Sequence, residues 1–123
     1  MRIKICGITN LDDAMAAVDY GADALGFVFF NQSPRYITYK KAATIIVKLP
    51  PCITTVGVFV NEDLEQIEKS VAITGIYVVQ LHGSESPGKI VSSRRIIKAI
   101  RVKSLESLDP LIHFKDCVSA FLL

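Results

Sequence analysis

Four side chains in this sequence have the chemistry of a binding or proton-transfer site: the thiol of Cys6, the guanidinium of Arg35, the amide of Gln80 and the imidazole of His82. A thiol removes a proton only as the thiolate, and a free thiol with a pKa of ~8.5 is only a few per cent ionised at pH 7. A guanidinium offers a fork of donors that suits a carboxylate. Each residue alone also fits a structural role, because free cysteine often packs as a small hydrophobe and surface arginine is solvated.

The elements that would position these side chains follow a regular alternation along the chain. Short runs rich in Val, Ile and Phe alternate with longer amphipathic stretches, which is typical of parallel βαβ construction. The pattern predicts six strands, near residues 2–8, 24–30, 54–60, 76–81, 95–101 and 117–123. We therefore expect an α/β fold.

The first three predicted helices have recognisable ends. Asn10 is expected to cap the first helix, and Gly21 to end it. The second runs from about residue 39 to 49 and stops at Pro50, because proline forces the preceding residue out of the helical region. Asn61 is expected to cap the third.

The last two predicted helices are less regular. One lies around Ser86 to Ser92, with Pro87 near its start. The other runs from Leu105 to Phe114 with Ser104 as a cap, and Pro110 within it predicts a short or kinked element.

The parity of the first strand predicts where its polar side chains lie. Side chains alternate across a strand, so Ile3 and Ile5 share one face while Lys4 and Cys6 share the other. The apolar face is expected to meet the helices. If the sheet is curled into a barrel, Lys4 and Cys6 face its interior, with Cys6 near the carboxyl end, where barrel enzymes place their chemistry.

Other polar side chains are expected at the same end of the sheet. Gln80 and His82 share a face at the end of the fourth strand, and Arg35 lies in the polar loop after the second. A barrel and an open doubly wound sheet both bind ligands at strand carboxyl ends. Periodicity does not choose between them.

Composition limits the classes of function. The 123 residues are 50% hydrophobic and carry a net charge of +2, without a basic stripe, so neither nucleic acid nor a membrane is an expected partner. The three cysteines are too few and too widely spaced for a disulfide framework or a C-x-x-C metal site. The sequence has no signal peptide or long apolar segment. We expect a cytoplasmic protein.

The chemistry-bearing residues lie in segments that resemble the phosphoribosylanthranilate isomerase family, in family order and at family spacing. The first is Lys4-Ile5-Cys6-Gly7-Ile8-Thr9-Asn10. The others are residues 21–29 leading into Ser33-Pro34-Arg35-Tyr36-Ile37, then residues 56–61 and residues 79–83. The similarity covers essentially the whole chain and is weak from about residue 85 to 115.

The resemblance implies a (β/α)8 TIM barrel, of which residues 1–123 would form a single partial domain with five βα units and a sixth strand. In the family an aspartate directly follows a sixth strand like Phe121-Leu122-Leu123, and the loops after strands seven and eight bind the substrate phosphate. We therefore expect this chain to be a truncated, inactive part of the enzyme. Open barrel edges predict that it self-associates.

The resemblance also implies the reaction, an Amadori rearrangement in tryptophan biosynthesis. N-(5-phosphoribosyl)anthranilate becomes 1-(2-carboxyphenylamino)-1-deoxyribulose 5-phosphate, without a metal or organic cofactor. By this resemblance Cys6 is the base, Arg35 meets the anthranilate carboxylate, and Gln80 and His82 line the substrate site.

Two alternatives remain open on the sequence. One is another phosphosugar-binding barrel enzyme, of the indole-3-glycerol-phosphate synthase or epimerase type. The other is a non-enzymatic flavodoxin-like binding domain, for which about 120 residues is a comfortable length.

Overall fold

A computed structural model describes residues 1–90 and 92–123 of the chain. Its six strands lie close to the predicted positions and are somewhat shorter. They are β1 (Lys4–Cys6), β2 (Ala24–Val28), β3 (Thr54–Phe59), β4 (Val78–Leu81), β5 (Arg95–Ala99) and β6 (Ala120–Leu122). All pair in parallel.

The strand order decides between the two architectures that the sequence left open. The strands lie in the order β1-β2-β3-β4-β5-β6, so each follows its predecessor in the same direction around the sheet. A doubly wound sheet reverses direction at a switch point, and this sheet contains no reversal. The flavodoxin-like alternative is therefore wrong, and the sheet is the sequential arc of a (β/α) barrel.

The sheet curves toward one face. The Lys4 ammonium on β1 donates to Gln80 Oε1 on β4, with two strands between them. In a flat sheet these strands would be roughly 14 Å apart, at about 4.8 Å per step, with both side chains standing perpendicular to the sheet. The bond therefore requires the arc to close around them. Inward-facing Val56, Val58 and Gln80 are buried by this curvature.

In the described residues, four α-helices and two 3₁₀ segments connect the strands. The helices are α1 (Leu11–Asp19), α2 (Tyr39–Ile46), α3 (Leu64–Thr74) and α4 (Leu111–Phe114), and the 3₁₀ segments are Pro87–Lys89 and Leu105–Leu108. Within the described part of the chain, no helix is both long and apolar enough to cross a membrane.

The hydrophobic core lies between the outer face of the sheet and the helices. Outward-facing residues such as Leu25, Phe27 and Phe59 form one buried cluster with helix residues, including Ala14 and Ile67. This is the two-layer packing that a (β/α) arc requires, since each helix buries one apolar stripe against the sheet.

The apolar face of β1 is only half covered. Ile5 pairs with Leu25, which is completely buried, and so lies on the helix side as predicted. Ile5 nevertheless stays 42% exposed and Ile3 43%. Among the described residues β1 has a strand neighbour on one side only, which leaves this face partly open.

Three of the predicted helix features are confirmed. Asn10 caps α1, and its side-chain oxygen accepts from Asp13 N at 2.8 Å. The predicted span 105–114 is divided at Pro110 into a 3₁₀ turn and α4, and Ser104 forms a capping box with Ser107. Local sequence rules were sufficient at these positions because the bonds join near neighbours.

Two helix predictions are wrong. Asn61 does not cap α3, whose N-cap is Asp63; instead Asn61 has φ 51°, in the left-handed region, and its side chain binds Ser84. The predicted helix at 86–92 is a single 3₁₀ turn at Pro87–Lys89, and Val91 of that span lies outside the described residues. After it, Ser92 Oγ donates to Glu68 of α3 at 2.7 Å, a tertiary bond in place of a helical one.

Gly57 provides a test of the packing on the outer face. A Cβ atom there would collide with Ile76 Cδ1 and lie 3.0 Å from both Phe29 and Phe59. Overpacking of this kind costs about 1–3 kcal/mol, so Gly57→Ala should lower the free energy of unfolding in urea by that amount. Gly88→Ala is the matched control, because a Cβ at Gly88 meets no atom within 4 Å. Equal stability of the two variants would contradict this packing.

Candidate active site

The thiol of Cys6 lies at the carboxyl end of β1, on the inner face of the arc. Cys6 is the last residue of β1, pairs with Gly26, and shares its face with Lys4, whose ammonium lies inside the arc. A Cβ at position 26 would lie 2.7 Å from the Cys6 sulfur, too close for the two atoms to coexist without a shift. Glycine at position 26 therefore makes room for the thiol, which remains exposed.

Arg35 packs against Gly7, the residue that follows Cys6, although it comes from another loop. The loop after β2 is held by a hydrogen bond of 3.0 Å from Ile37 N to Val28 O. The Arg35 stem crosses Gly7, the residue after Cys6, and a Cβ at position 7 would be 2.5 Å from Arg35 Cδ. Gly7 also has φ 89°, in the left-handed region. Position 7 therefore requires glycine for two reasons: the close approach of the Arg35 side chain and the left-handed backbone conformation.

Gln80 and His82 form a second pair at the end of β4. Gln80 is 2% exposed, and its amide Nε2 lies 3.3 Å from His82 Nδ1. His82 N donates to Phe59 O at 2.9 Å, which continues the parallel pairing just past the strand, and the residue remains exposed. Gln80 and His82 therefore lie on the same face of the sheet, as predicted.

The carboxyl ends of the strands form one end of the arc, which we call the mouth. It contains both Cys6 with Arg35 and Gln80 with His82, because Lys4 on β1 bonds to β4. Cys6 is two residues after Lys4, and His82 two after Gln80, so each is the next residue on the same face toward the carboxyl end. The Lys4–Gln80 bond below them holds β1 and β4 at opposite sides of the arc. A cavity of about 630 Å³ lies on the inner side below this level, lined by residues that include Lys4 and Gln80. A ligand at the mouth would lie between the two pairs.

The charge state of His82 is set by its surroundings. Burial lowers the pKa of His82, and the positive charges of Arg101, Lys98 and Lys4 lower it further, against a smaller opposing effect of Glu85. The imidazole therefore stays neutral to a lower pH than a free histidine. At neutral pH the mouth offers an uncharged ring.

A third cluster, which the sequence analysis missed, fixes the loop after β4. Glu85 accepts from Gly83 N at 3.1 Å and from Asn61 N at 3.0 Å. Lys98 donates to Glu85 Oε2 at 2.7 Å and to Gly83 O at 2.5 Å. Ser84 N donates to Asn61 Oδ1 at 2.7 Å. We call Asn61, Gly83, Glu85 and Lys98 the loop clamp, since they hold the segment that directly follows His82.

The ion pair in the loop clamp is shielded from water. The side chains of Lys98 and Glu85 are 5% and 10% exposed. Burial alone would raise the pKa of Glu85, but the hydrogen bond from Lys98, the backbone bond from Asn61 and the charge of Lys98 outweigh it and leave the pKa below its usual value. One signal was present in the sequence: Lys98 is a lone charge in the apolar run from Ile96 to Ile100. Almost no lysine is buried without a partner.

No metal centre emerges from residues 1–90 and 92–123, which contain no group of three or more His, Cys, Asp or Glu side chains placed to share an ion.

Comparison with known proteins identifies the family to which the chain belongs. The family model for N-(5'-phosphoribosyl)anthranilate isomerase matches residues 3–123. The chain belongs to this family. A phosphoribosylanthranilate isomerase from Pelobacter propionicus is 53% identical over 124 aligned residues, and one from Geobacter sulfurreducens is 51% identical. The chain covers 58% and 60% of these relatives, so it spans about three-fifths of their length.

Solved structures of family members have the same fold. The phosphoribosylanthranilate isomerase of Thermotoga maritima superposes with a TM-score of 0.92 at 40% identity, covering 100% of this chain and 62% of its own. A second structure of the family, in complex with reduced 1-(o-carboxyphenylamino)-1-deoxyribulose 5-phosphate, superposes with a TM-score of 0.90 at 41% identity and covers 98% and 66%. These matches confirm the incomplete TIM barrel.

Removing the carboxylate of the loop clamp should cost stability in a pH-dependent way. Glu85→Gln removes the negative charge that compensates Lys98 and leaves it only neutral partners such as Gly83 O, and breaking a buried ion pair costs about 3 kcal/mol. Because the folded pKa of Glu85 is lowered, the carboxylate stabilises the fold above the unfolded carboxyl pKa, and that contribution is lost as pH falls through the folded value. Urea unfolding at pH 7 and in acid should show the wild type and variant converging in acid.

Glu65→Gln is the matched control for that experiment. Glu65 is exposed in the first turn of α3, so its loss removes only a favourable interaction with the helix dipole and should lower the unfolding free energy by no more than about 1 kcal/mol. A Glu85→Gln variant as stable as this control at pH 7 would contradict the loop clamp.

Proposed function

We propose that this chain supplies the base and the carboxylate-binding side of the active site for the isomerisation of N-(5-phosphoribosyl)anthranilate. The observation that carries the proposal is the joint position of the Cys6 thiol and the Arg35 stem at the carboxyl mouth of the arc. Barrel enzymes place their reacting groups at this end. Membership of the isomerase family supports the tasks proposed for these two side chains.

The rearrangement needs one acid and one base. The acid protonates the furanose ring oxygen, so that the ring opens and the electron pair of the nitrogen forms an iminium. The Cys6 thiolate then takes the proton from the adjacent sugar carbon. The electrons of that C–H bond form the enolamine, which becomes the ketone product. We assign the base step to this chain and no acid to it.

Arg35 is the residue proposed to bind the carboxylate of the anthranilate ring. Its guanidinium is exposed at the mouth, and its stem is fixed against Gly7. A planar fork recognises a carboxylate through two parallel charge-assisted hydrogen bonds. The relative bound to a reduced carboxyphenylamino-deoxyribulose phosphate carries such a carboxylate in its ligand. Carboxylate binding at Arg35 would place the sugar carbons beside Cys6.

Gln80 and His82 are proposed to line the substrate site opposite Cys6. His82 is exposed at the mouth, whereas Gln80 is buried beneath it and already bonded to Lys4. We therefore expect His82 to make the closer contact with a ligand. Its neutral ring suits a hydroxyl or carbonyl oxygen of the sugar.

The role of Cys6 predicts a large loss of turnover. When it is mixed with the carboxyl-terminal two-fifths of the Pelobacter propionicus relative, the chain should consume N-(5-phosphoribosyl)anthranilate. The reaction is monitored by the loss of substrate fluorescence. Cys6→Ala should reduce that rate by at least ~100-fold, since a positioned base contributes at least that factor. Cys52→Ala is the matched control, because Cys52 lies in the turn before β3, at the opposite end of the strands. Undiminished turnover in Cys6→Ala would overturn the assignment.

We also propose that the chain self-associates through its sheet edges. Within the described residues, β1 and β6 each pair with one strand only, and apolar side chains near them are exposed: Ile3 at 43% and Leu122 at 42%. Unpaired edges with exposed apolar residues favour pairing with another chain. Sedimentation velocity over a range of protein concentrations should show mass above 13.5 kDa that increases with concentration. A monomer throughout the micromolar range would contradict this proposal.

A further inference from the structure

A hydrogen-bonded row of three side chains crosses the inside of the arc and ends at the mouth. The Lys4 ammonium donates to Gln80 Oε1, and Gln80 Nε2 lies 3.3 Å from His82 Nδ1. An ammonium has three donors and no acceptor, so only the amide oxygen of Gln80 is a partner for it. Lys4 thereby fixes which way the buried amide of Gln80 points.

The fixed amide determines the protonation of the imidazole. With its oxygen toward Lys4, Gln80 presents its NH₂ group, which has only donors, to His82 Nδ1. A hydrogen bond at this contact therefore requires Nδ1 to be an unprotonated acceptor. The proton of the neutral ring then sits on Nε2, and protonating Nδ1 would bring two donors face to face.

We propose that Lys4 and Gln80 are positioning residues that hold His82 in the neutral tautomer with its proton on Nε2. His82 thus offers a ligand one uncharged N–H donor. Such a donor selects a ligand oxygen that accepts a hydrogen bond, such as a sugar hydroxyl or carbonyl, without adding a further positive charge to a mouth that already contains Arg35. The identity of that ligand rests on the proposed function; the tautomer itself does not.

The charged groups around the ring act in the same direction. Lys4 lies on β1, Lys98 at the end of β5 and Arg101 just beyond it, and all three disfavour the imidazolium; Glu85 of the loop clamp favours it. Burial also opposes the charged ring and is the largest effect. Charge alone, however, cannot select one tautomer over the other, because both are neutral. The tautomer is thus the property that distinguishes the hydrogen-bonded row from simple electrostatics.

Nitrogen-15 NMR of the histidine rings tests the proposal without substrate, so its outcome is independent of whether the chain supports isomerisation. The chain has two histidines, His82 and the exposed His113, and His113→Gln identifies their signals. We expect the His82 ring to be protonated on Nε2 alone, whereas His113 shows the tautomer mixture of a free imidazole. The titration midpoint of His82 should lie below the ordinary histidine value, because burial lowers its pKa. A tautomer ratio at His82 equal to that of His113 would overturn the proposal.

Substitutions in the row should change the tautomer in a defined direction. Gln80→Glu offers a carboxylate oxygen to Nδ1, so the proton should appear on Nδ1 and the midpoint should move to higher pH. Lys4→Met releases the amide of Gln80, and a fraction of the ring should then carry its proton on Nδ1. Arg101→Gln is the matched control: it removes a nearby cation and should raise the midpoint with the proton still on Nε2. An unchanged His82 in both Gln80→Glu and Lys4→Met would contradict the row.

Discussion

The arrangement of the mouth depends on the register between β1 and β2, in which the Cys6 thiol rests on a residue without a side chain. Pairing Cys6 with Gly26 puts the sulfur on the inner face. A slip of one residue would turn it toward the helices, because strand side chains alternate with a period of two. The same register directs Lys4 inward to Gln80. One strand pairing thus places the candidate base, closes the arc and sets the orientation of His82.

Much of the fold could be predicted from the sequence because its determinants are local. The apolar runs identified all six strands, and Asn10 and Pro110 marked helix ends through contacts within a few residues. Alternation along β1 and β4 gave the shared faces of Lys4 with Cys6 and of Gln80 with His82. The choice of a sequential arc over a doubly wound sheet came from strand order, which periodicity does not contain.

The loop clamp escaped prediction because Asn61, Glu85 and Lys98 are far apart in sequence. Asn61 looks like a helix cap by local rules, and only the fold brings Ser84 close enough for its N–H to donate to the Asn61 side-chain oxygen instead. Lys98 bonds to Glu85 across 13 residues, on the outer side of the strand that carries it. Arg35 likewise reaches Gly7 only because β1 and β2 are neighbours. Local patterns therefore predicted the strand faces on which the site residues lie. The positions of the surrounding loops depend on tertiary contacts, which local patterns do not contain.

Alkylation of the thiols tests most directly whether Cys6 belongs to a ligand-binding mouth. The sample is the chain mixed with the carboxyl-terminal part of a relative. Mass spectrometry measures the rate of iodoacetamide labelling at Cys6, Cys52 and Cys117. Reduced 1-(o-carboxyphenylamino)-1-deoxyribulose 5-phosphate should slow labelling of Cys6 at least tenfold and leave Cys52 unchanged. Labelling of Cys6 that is indifferent to saturating amounts of this compound would contradict a substrate site built around its sulfur.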